Sequence, residues 1–330
     1  MKSLAKKAVL GSGVLRMAAL ARAGSAALVM YHSVCRDPAR SFNLLGGIGH
    51  SEAVFRGQME VLAKQFRPIT LDALAESMRT GRELRPRSVV VTFDDGYADN
   101  HEVAMPILSQ VGVPAIFYVT VDCIEKRRAP WPGRLRFPFR TTRKDSWRDP
   151  SGKEWPLTGD DSREEAFAQA CGICCRFTGA PQDDFVAGVE RQLASATPPE
   201  ADVPMMSYEQ IQALMRHGHL VGSHSMTHPN MAYVSREDVT AELTESKRRL
   251  EERLGEPIRH FSYPCPALSP HWNELTSEES RAAGYETAVT TDRGLVRSGD
   301  ETLRLKRVRP SKTVDGLRWN IECAFAGRAV

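Results

Sequence analysis

The chain predicts an α/β fold on a parallel sheet or barrel, a single domain carrying an insertion. Two observations carry this reading. Short apolar runs alternate along the chain with stretches whose apolar residues recur at helical spacing. Three of those runs are strand-like and end near polar residues: Ala26–His32, Val89–Gly96 and Pro114–Thr120. Parallel sheets place their functional groups at the C-terminal ends of their strands, so the residues that close these runs are the ones to follow.

The central run is Val89-Val90-Val91-Thr92-Phe93-Asp94-Asp95-Gly96. A β-branched segment meeting a turn reads as a strand buried on both faces. Two carboxylates at its end need a cation or hydrogen-bond donors if they are buried. Side chains alternate along a strand, so Asp94 and Asp95 should face different ways and do different jobs. Before it, Ala26 to Tyr31 delivers His32, and the Pro- and Gly-containing residues 36–50 read as a loop. Ser51 opens a helix through Phe55, Met59 and Leu62; a short strand at Pro68–Thr70 and a helix from Leu71 to Arg79 follow.

After the aspartates, Asp99-Asn100 leads into a helix ending near Gly112, then the strand at 114–120. From about 125 to 204 the pattern weakens and reads as the insertion. A helix over about 163–178 lies inside it, with tryptophans better suited to a small core than to stacking on sugars. Ser207 and Gln210 form a capping box for the next helix. His219 to His228 reads as a strand running into a polar loop with His224 and His228 four apart. A charge-rich helix over 236–254, a strand stopped by prolines at 261–266, a helix near 278–284 and a strand at 287–290 follow. Leu303 to Val308 alternates apolar and basic, a strand with one charged face.

Composition is that of a soluble globular protein, with 42% hydrophobic and 26% charged residues. The net charge of +3 gives no argument for a nucleic-acid partner. Seven cysteines show no disulfide framework, and Cys171-x-x-Cys174 reads as buried helix rather than half a zinc site. Residues 1–25 form a basic helical segment, read first as an ordinary surface helix and second as a helix making peripheral contact with a membrane. Its apolar run is too short to span a bilayer and too interrupted for a clean signal peptide. Localisation is therefore expected to be cytoplasmic or peripheral at the membrane, with export left open.

Two histidines and one carboxylate are a common catalytic zinc set, and the same set suits iron, cobalt or nickel. A metal lowers the pKa of a bound water toward about 7, a second carboxylate can take its proton, and a separate histidine can protonate a leaving group. Asp94, Asp95, His224, His228 and His32 are the candidates.

Thr92-Phe93-Asp94-Asp95-Gly96 together with His224-Ser225-Met226-Thr227-His228 resembles the polysaccharide deacetylases, the NodB-homology group or carbohydrate esterase family four. The resemblance covers roughly residues 26–125 and 204–310. It implies a distorted (β/α) barrel over 26–330, a divalent metal (usually zinc) on Asp95, His224 and His228, and Asp94 as general base. Phe261-Ser262-Tyr263-Pro264 matches the third motif, implying a backbone N–H at Tyr263 for the oxyanion. Val29-Met30-Tyr31-His32-Ser33-Val34 narrows the resemblance to the exopolysaccharide, poly-N-acetylglucosamine branch, which implies His32 as general acid. Ser262 stands at the motif's arginine position, Pro266 at a usual glycine after Cys265 at a usual aromatic, and Lys306 where the branch tends to have proline. The implied function is removal of N-acetyl groups from amino sugars of a bacterial polysaccharide or oligosaccharide. The alternatives are deacylation or deformylation of a lipid-linked sugar, and a catalytically weakened carbohydrate-binding homologue.

Overall fold

In the computed structural model the described residues are 6, 10, 11, 13, 24–37, 45–196 and 204–328; the N-terminal helical segment falls almost wholly outside them. The body is a nearly closed barrel of parallel strands. β1 (Ser25–Tyr31) is buried along its whole length and pairs with β5 (Ser88–Phe93). β6 (Ala115–Val119), β9 (Leu220–Ser223), β10 (His260–Ser262), β11 (Thr287–Arg293) and β13 (Leu305–Arg307) continue in that order, each parallel to its neighbour. Val308 closes the ring on β1: its N–H donates to the Leu28 carbonyl at 2.6 Å and its carbonyl accepts from Met30 at 3.2 Å. β4 (Arg67–Pro68) pairs with the start of β5, and β12 (Val296–Arg297) runs antiparallel to the start of β1.

Alternation divides each strand between two cores. Ala26 and Leu28 face the barrel interior with Val90, Ile116, Tyr118, Val289 and Leu305, while Leu71 and Leu74 complete the same cluster. Ala27, Val29, Tyr31, Val91, Phe93 and Phe117 point outward against the helices. Close approach inside the barrel needs Gly222: a Cβ there would meet Tyr118 Cδ1 at 2.5 Å and the His260 carbonyl at 2.8 Å.

Helices begin and end where local chemistry dictates. α1 (Glu52–Gln65) is capped by Ser51, and α2 (Leu71–Thr80) by Thr70. α3 (Met105–Val111) follows a single π-helical turn at Asn100–Ala104. α4 (Val121–Lys126) sits directly after β6. Between β6 and β9, α5 (Trp131–Thr141), the β7–β8 hairpin (Ser146–Arg148, Glu154–Pro156), α6 (Asp160–Cys174) and α7 (Gly179–Gln192) build a second hydrophobic cluster. Trp131 and Trp147 are buried in it, so they act as core and not as open sugar platforms. Cys171 and Cys174 are buried on α6, and all seven cysteines are unpaired. α8 (Tyr208–Arg216) carries the capping box expected from Ser207 and Gln210. α9 (Arg236–Leu254) stops at Gly255, whose φ of 72° suits glycine. α10 (Glu274–Ala282) starts earlier than expected, because Asn273 caps it. α11 (Val314–Phe325) packs against α1 and β1.

β3 (Gly49–Ser51) begins at the end of residues 36–50, which the sequence reads as loop, and pairs in parallel with β2 (Ser33–Cys35) just before them. No helix among the described residues is long and apolar enough to cross a membrane.

One buried ion pair ties α11 to the barrel base. Arg87 donates to both oxygens of Glu322 at 3.0 and 2.9 Å and to the Gln65 carbonyl at 3.0 Å. Glu322→Ala leaves that guanidinium buried without its counter-charge and should destabilise the fold by about 3–5 kcal/mol in urea denaturation, whereas Arg87→Met with Glu322→Leu should recover most of the loss. A single-variant loss below about 1 kcal/mol would show that the pair is not a structural tie.

Candidate active site

The strand ends meet at one rim. His32 follows β1, Asp94 and Asp95 follow β5, His224 follows β9 and Tyr263 follows β10. All of them, with His228, line one cavity of about 430 Å³. Asp94 N–H donates to the Tyr31 carbonyl at 3.0 Å, extending the β1–β5 ladder by one residue. The chain then turns sharply, with Asp95 at φ 75°. That left-handed residue is the local reason why two adjacent carboxylates face different partners.

Asp95 Oδ1 lies 3.5 Å from His224 Nε2 and 3.3 Å from His228 Nε2, and ligand atoms from the three residues all fall within 4.8 Å of one another. The carboxylate oxygen is buried and has no hydrogen-bond partner. His224 Nδ1 sits 2.7 Å from the Ser262 carbonyl, which fixes the proton on Nδ1 and turns the Nε2 lone pair inward. Two imidazole nitrogens and one carboxylate oxygen, converging without bonding one another, fit a divalent metal. Burial alone would raise Asp95, but the two histidines outweigh it and hold the carboxyl well below its usual range.

The histidine loop is held by groups the sequence did not single out. Ser225 and His228 both have positive φ, 66° and 62°. Buried Glu242 on α9 accepts from the Met226 and Thr227 N–H groups, both at 2.8 Å, and from Thr227 Oγ1 at 2.5 Å. Ser225 Oγ accepts from His228 N–H at 3.0 Å. Trp131 Nε1 donates to the His228 carbonyl at 2.9 Å, joining the second hydrophobic cluster to the site. The charges of α9 read as a solvated face, and Glu242 corrects that. It falls on the buried stripe Val239, Glu242, Leu243, Ser246, Leu250, a spacing that could have flagged it.

Asp94 has a different partner. Arg307 Nη1 lies 2.9 Å from its Oδ1 and 2.8 Å from its Oδ2, and Ser262 Oγ donates to Oδ1 at 3.2 Å. Arg307 is 1% exposed and also donates to the Thr290 carbonyl at 2.7 Å. The expected charged face of the last strand is therefore half wrong. Lys306 is exposed, but Arg307 shares the inward face with Leu305, and that parity was the available signal. With Ser262 at the motif's arginine position, the guanidinium reaches the carboxylate from β13 instead. Burial would raise Asp94, and the Arg307 charge, with His224 and His32, overcomes it and keeps the carboxyl below its usual range.

His32 Nε2 lies 4.0 Å from Asp94 Oδ2. Burial lowers its pKa against the pull of Asp95 and Asp94. Its backbone carbonyl accepts from Asn100 Nδ2 at 2.7 Å, from the π-helical turn. Tyr263 requires a correction. Its backbone N–H donates to the Val289 carbonyl at 3.1 Å, inside the sheet, and its hydroxyl pairs with Ser280 at 3.1 Å. The donor expected there is committed to the β10–β11 ladder. Cys265, two residues on, lines the cavity past the end of that ladder.

Asp99 braces the same corner. Ser33 Oγ donates to its carboxylate, Asn100 donates to it at 2.9 Å, and burial raises its pKa to about 6. An acid raised on folding is destabilising once ionised: stability falls as pH rises from about 3.8 to about 6, by on the order of 3 kcal/mol. Asp99→Asn should therefore raise the urea midpoint at pH 7.5 and have almost no effect at pH 4. An equal effect at both values would refute the assignment.

The family model for polysaccharide deacetylase matches residues 81–288. A curated relative, "Putative polysaccharide deacetylase YxkH" of Bacillus subtilis, is 25% identical over 249 residues, covering 75% of this chain and 61% of that protein's length. The fold is shared with Streptococcus pyogenes deacetylase PplD in complex with acetate (TM-score 0.60, 16% identity, 90% of this chain and 98% of that one). It is shared too with IcaB from Ammonifex degensii (0.59, 18%, 92% and 97%) and the BpsB deacetylase domain from Bordetella bronchiseptica (0.52, 17%, 86% and 95%). With more than half its length matched by the family model, and a barrel that agrees, this chain belongs to the polysaccharide deacetylase family.

Proposed function

We propose that the chain hydrolyses N-acetyl groups from amino-sugar residues of a bacterial polysaccharide or oligosaccharide, in a metal-dependent reaction. The observation that carries this reading is the pair of separate environments at the end of β5. Asp95 converges with His224 and His228, while Asp94, next in sequence, is held ionised by Arg307. PplD, which shares the fold, was solved with acetate, the product this reading requires.

Asp95, His224 and His228 would hold the divalent cation, for which zinc is the choice that the family resemblance implies. When bound, it supplies a Lewis acid that polarises the acyl carbonyl and acidifies a water. Asp94, kept as a carboxylate by Arg307, takes the proton from the attacking water. His32 passes a proton to the departing amine; with Asp94 4.0 Å away, the carboxyl is its nearest source. The oxyanion that forms in between needs a donor aimed at it. Tyr263 N–H is engaged, so we assign this part to the backbone N–H of Cys265 on the cavity wall. Arg307 is a positioning residue, acting through Asp94 and Ser262.

His224→Ala should lose both bound metal and acetate release from N-acetylglucosamine oligomers. Asp94→Asn should retain metal near one per chain and lose turnover by at least about 10³-fold. Wild-type rates in Asp94→Asn would overturn the base assignment, and absence of metal from the wild-type protein after zinc addition would overturn the site. Arg307→Met should lower kcat by about 100-fold with metal content unchanged, and Arg307→Lys should recover part of it; equal loss in both, with loss of metal, would mean a purely structural role.

A further inference from the structure

Beyond the acyl site, the cavity has a charge imbalance. Among the described residues lining it, the carboxylates are Asp94 and Asp95, and both are already accounted for. The cations lining it are Arg136, Arg309 and Lys312. Arg136 faces Glu164 at 3.5 Å and stacks over the Phe167 ring. Arg309 and Lys312 have no carboxylate within ion-pair distance among the described residues; Lys312 Nζ donates to the Gly49 carbonyl, leaving two of its three donors.

A second, independent observation lies beside them. His50, next to Gly49 on β3, is 4% exposed, and neither ring nitrogen makes a hydrogen bond of good geometry; the nearby Ile48 and Ser311 carbonyls raise its pKa by less than burial lowers it. It lines the same cavity. A buried imidazole without a well-formed hydrogen bond keeps bonding capacity that a ligand can use. Burial, reinforced by the Lys312 charge, pushes its pKa down to about 4, so at neutral pH it presents one donor and one acceptor.

The segment carrying the cations is anchored. Buried Gln58 donates to the Ser311 carbonyl at 2.6 Å and the Thr313 carbonyl at 3.1 Å, and accepts from Tyr31 Oη at 2.8 Å. Asn320 Nδ2 donates to the Arg309 carbonyl at 3.2 Å. These bonds fix the backbone of residues 309–313 to α1 and α11, so the segment that carries the two charges is held at the rim in advance of any ligand.

We propose that Arg309, Lys312 and His50 form a subsite for an oxyanion, a phosphate or carboxylate, carried by the sugar whose acetamido group reaches Asp94 and Asp95. This rests on the deacetylase reading and narrows its substrate class to anionic amino-sugar chains.

The test compares acetate release from three soluble probes at constant ionic strength: an N-acetylglucosamine tetramer, the same tetramer bearing a 1-phosphate, and the same tetramer oxidised to its aldonic acid. Wild type should favour at least one anionic probe by tenfold or more in kcat/KM, the scale of one charge-assisted contact. Whichever is preferred identifies phosphate or carboxylate. In Arg309→Met with Lys312→Met the preference should fall below about twofold, and His50→Leu should reduce it in part. Equal rates on all three probes, or a preference that survives the double variant, would overturn the subsite and leave the deacetylase reading standing. Calorimetric titration with inorganic phosphate gives a readout independent of turnover. Saturable binding lost in the double variant supports the subsite even if no probe releases acetate, an outcome that would count against the deacetylase reading alone. No saturable binding by wild type would count against the subsite.

Discussion

The buried contact between Arg307 and Asp94 is the constraint around which the rim is arranged. A carboxylate that is 2% exposed stays ionised only if a counter-charge is equally buried and well aimed. The guanidinium meets that need from across the barrel, and its remaining donors reach the Thr290 carbonyl, Thr92 and Ser262. One planar group therefore gathers residues from β5, β10, β11 and β13. Placing it there requires the ring to close, which Val308 does on β1 one residue later. Barrel closure and the protonation state of the carboxylate are two aspects of the same local geometry.

Separation of the two aspartates follows from that arrangement. Asp94 continues the inward face of Val90 and Thr92, where the guanidinium is. Asp95 can serve the histidines only because the backbone reverses into the left-handed region at that residue. The histidine loop repeats the device, with left-handed backbone at Ser225 and His228 stabilised by a buried glutamate. Conformations of this kind persist when surrounding bonds over-determine them, and here those bonds come from α9, from Thr120 and Val121, and from Trp131.

Much of this was legible in the sequence because it depends on short-range patterns. Buried strands announce themselves as β-branched runs, and helix starts at Ser51 and Ser207 follow from side chains that cap their own backbone. The residues of the candidate site sit at strand ends, so naming the strands nearly names the site. What escaped was long-range. Arg307 and Asp94 are 213 positions apart, and the parity that puts Arg307 on the face of Leu305 does not tell which group it meets there. Glu242 hid among the many exposed charges of α9. Tyr263 was misplaced for a related reason: whether a backbone N–H is free depends on which strand lies beside it, and its neighbour β11 is contributed by a later part of the chain.

The hydrogen bond from Trp131 to the His228 carbonyl has an evolutionary consequence. Trp131 belongs to the hydrophobic cluster of residues 131–193, outside the strands of the barrel, yet it fixes the backbone of a residue that points at Asp95. Parts of a protein that vary in order to change what is recognised are usually free of the parts that must not vary. Here they share a bond. Drift in that cluster is filtered through the histidine's position, so a transplanted version would have to bring an indole, or an equivalent donor, to the same carbonyl. New specificities in this chain are thus more accessible through residues such as Leu45, Ile48 and Arg309, which line the cavity without holding the histidines in place.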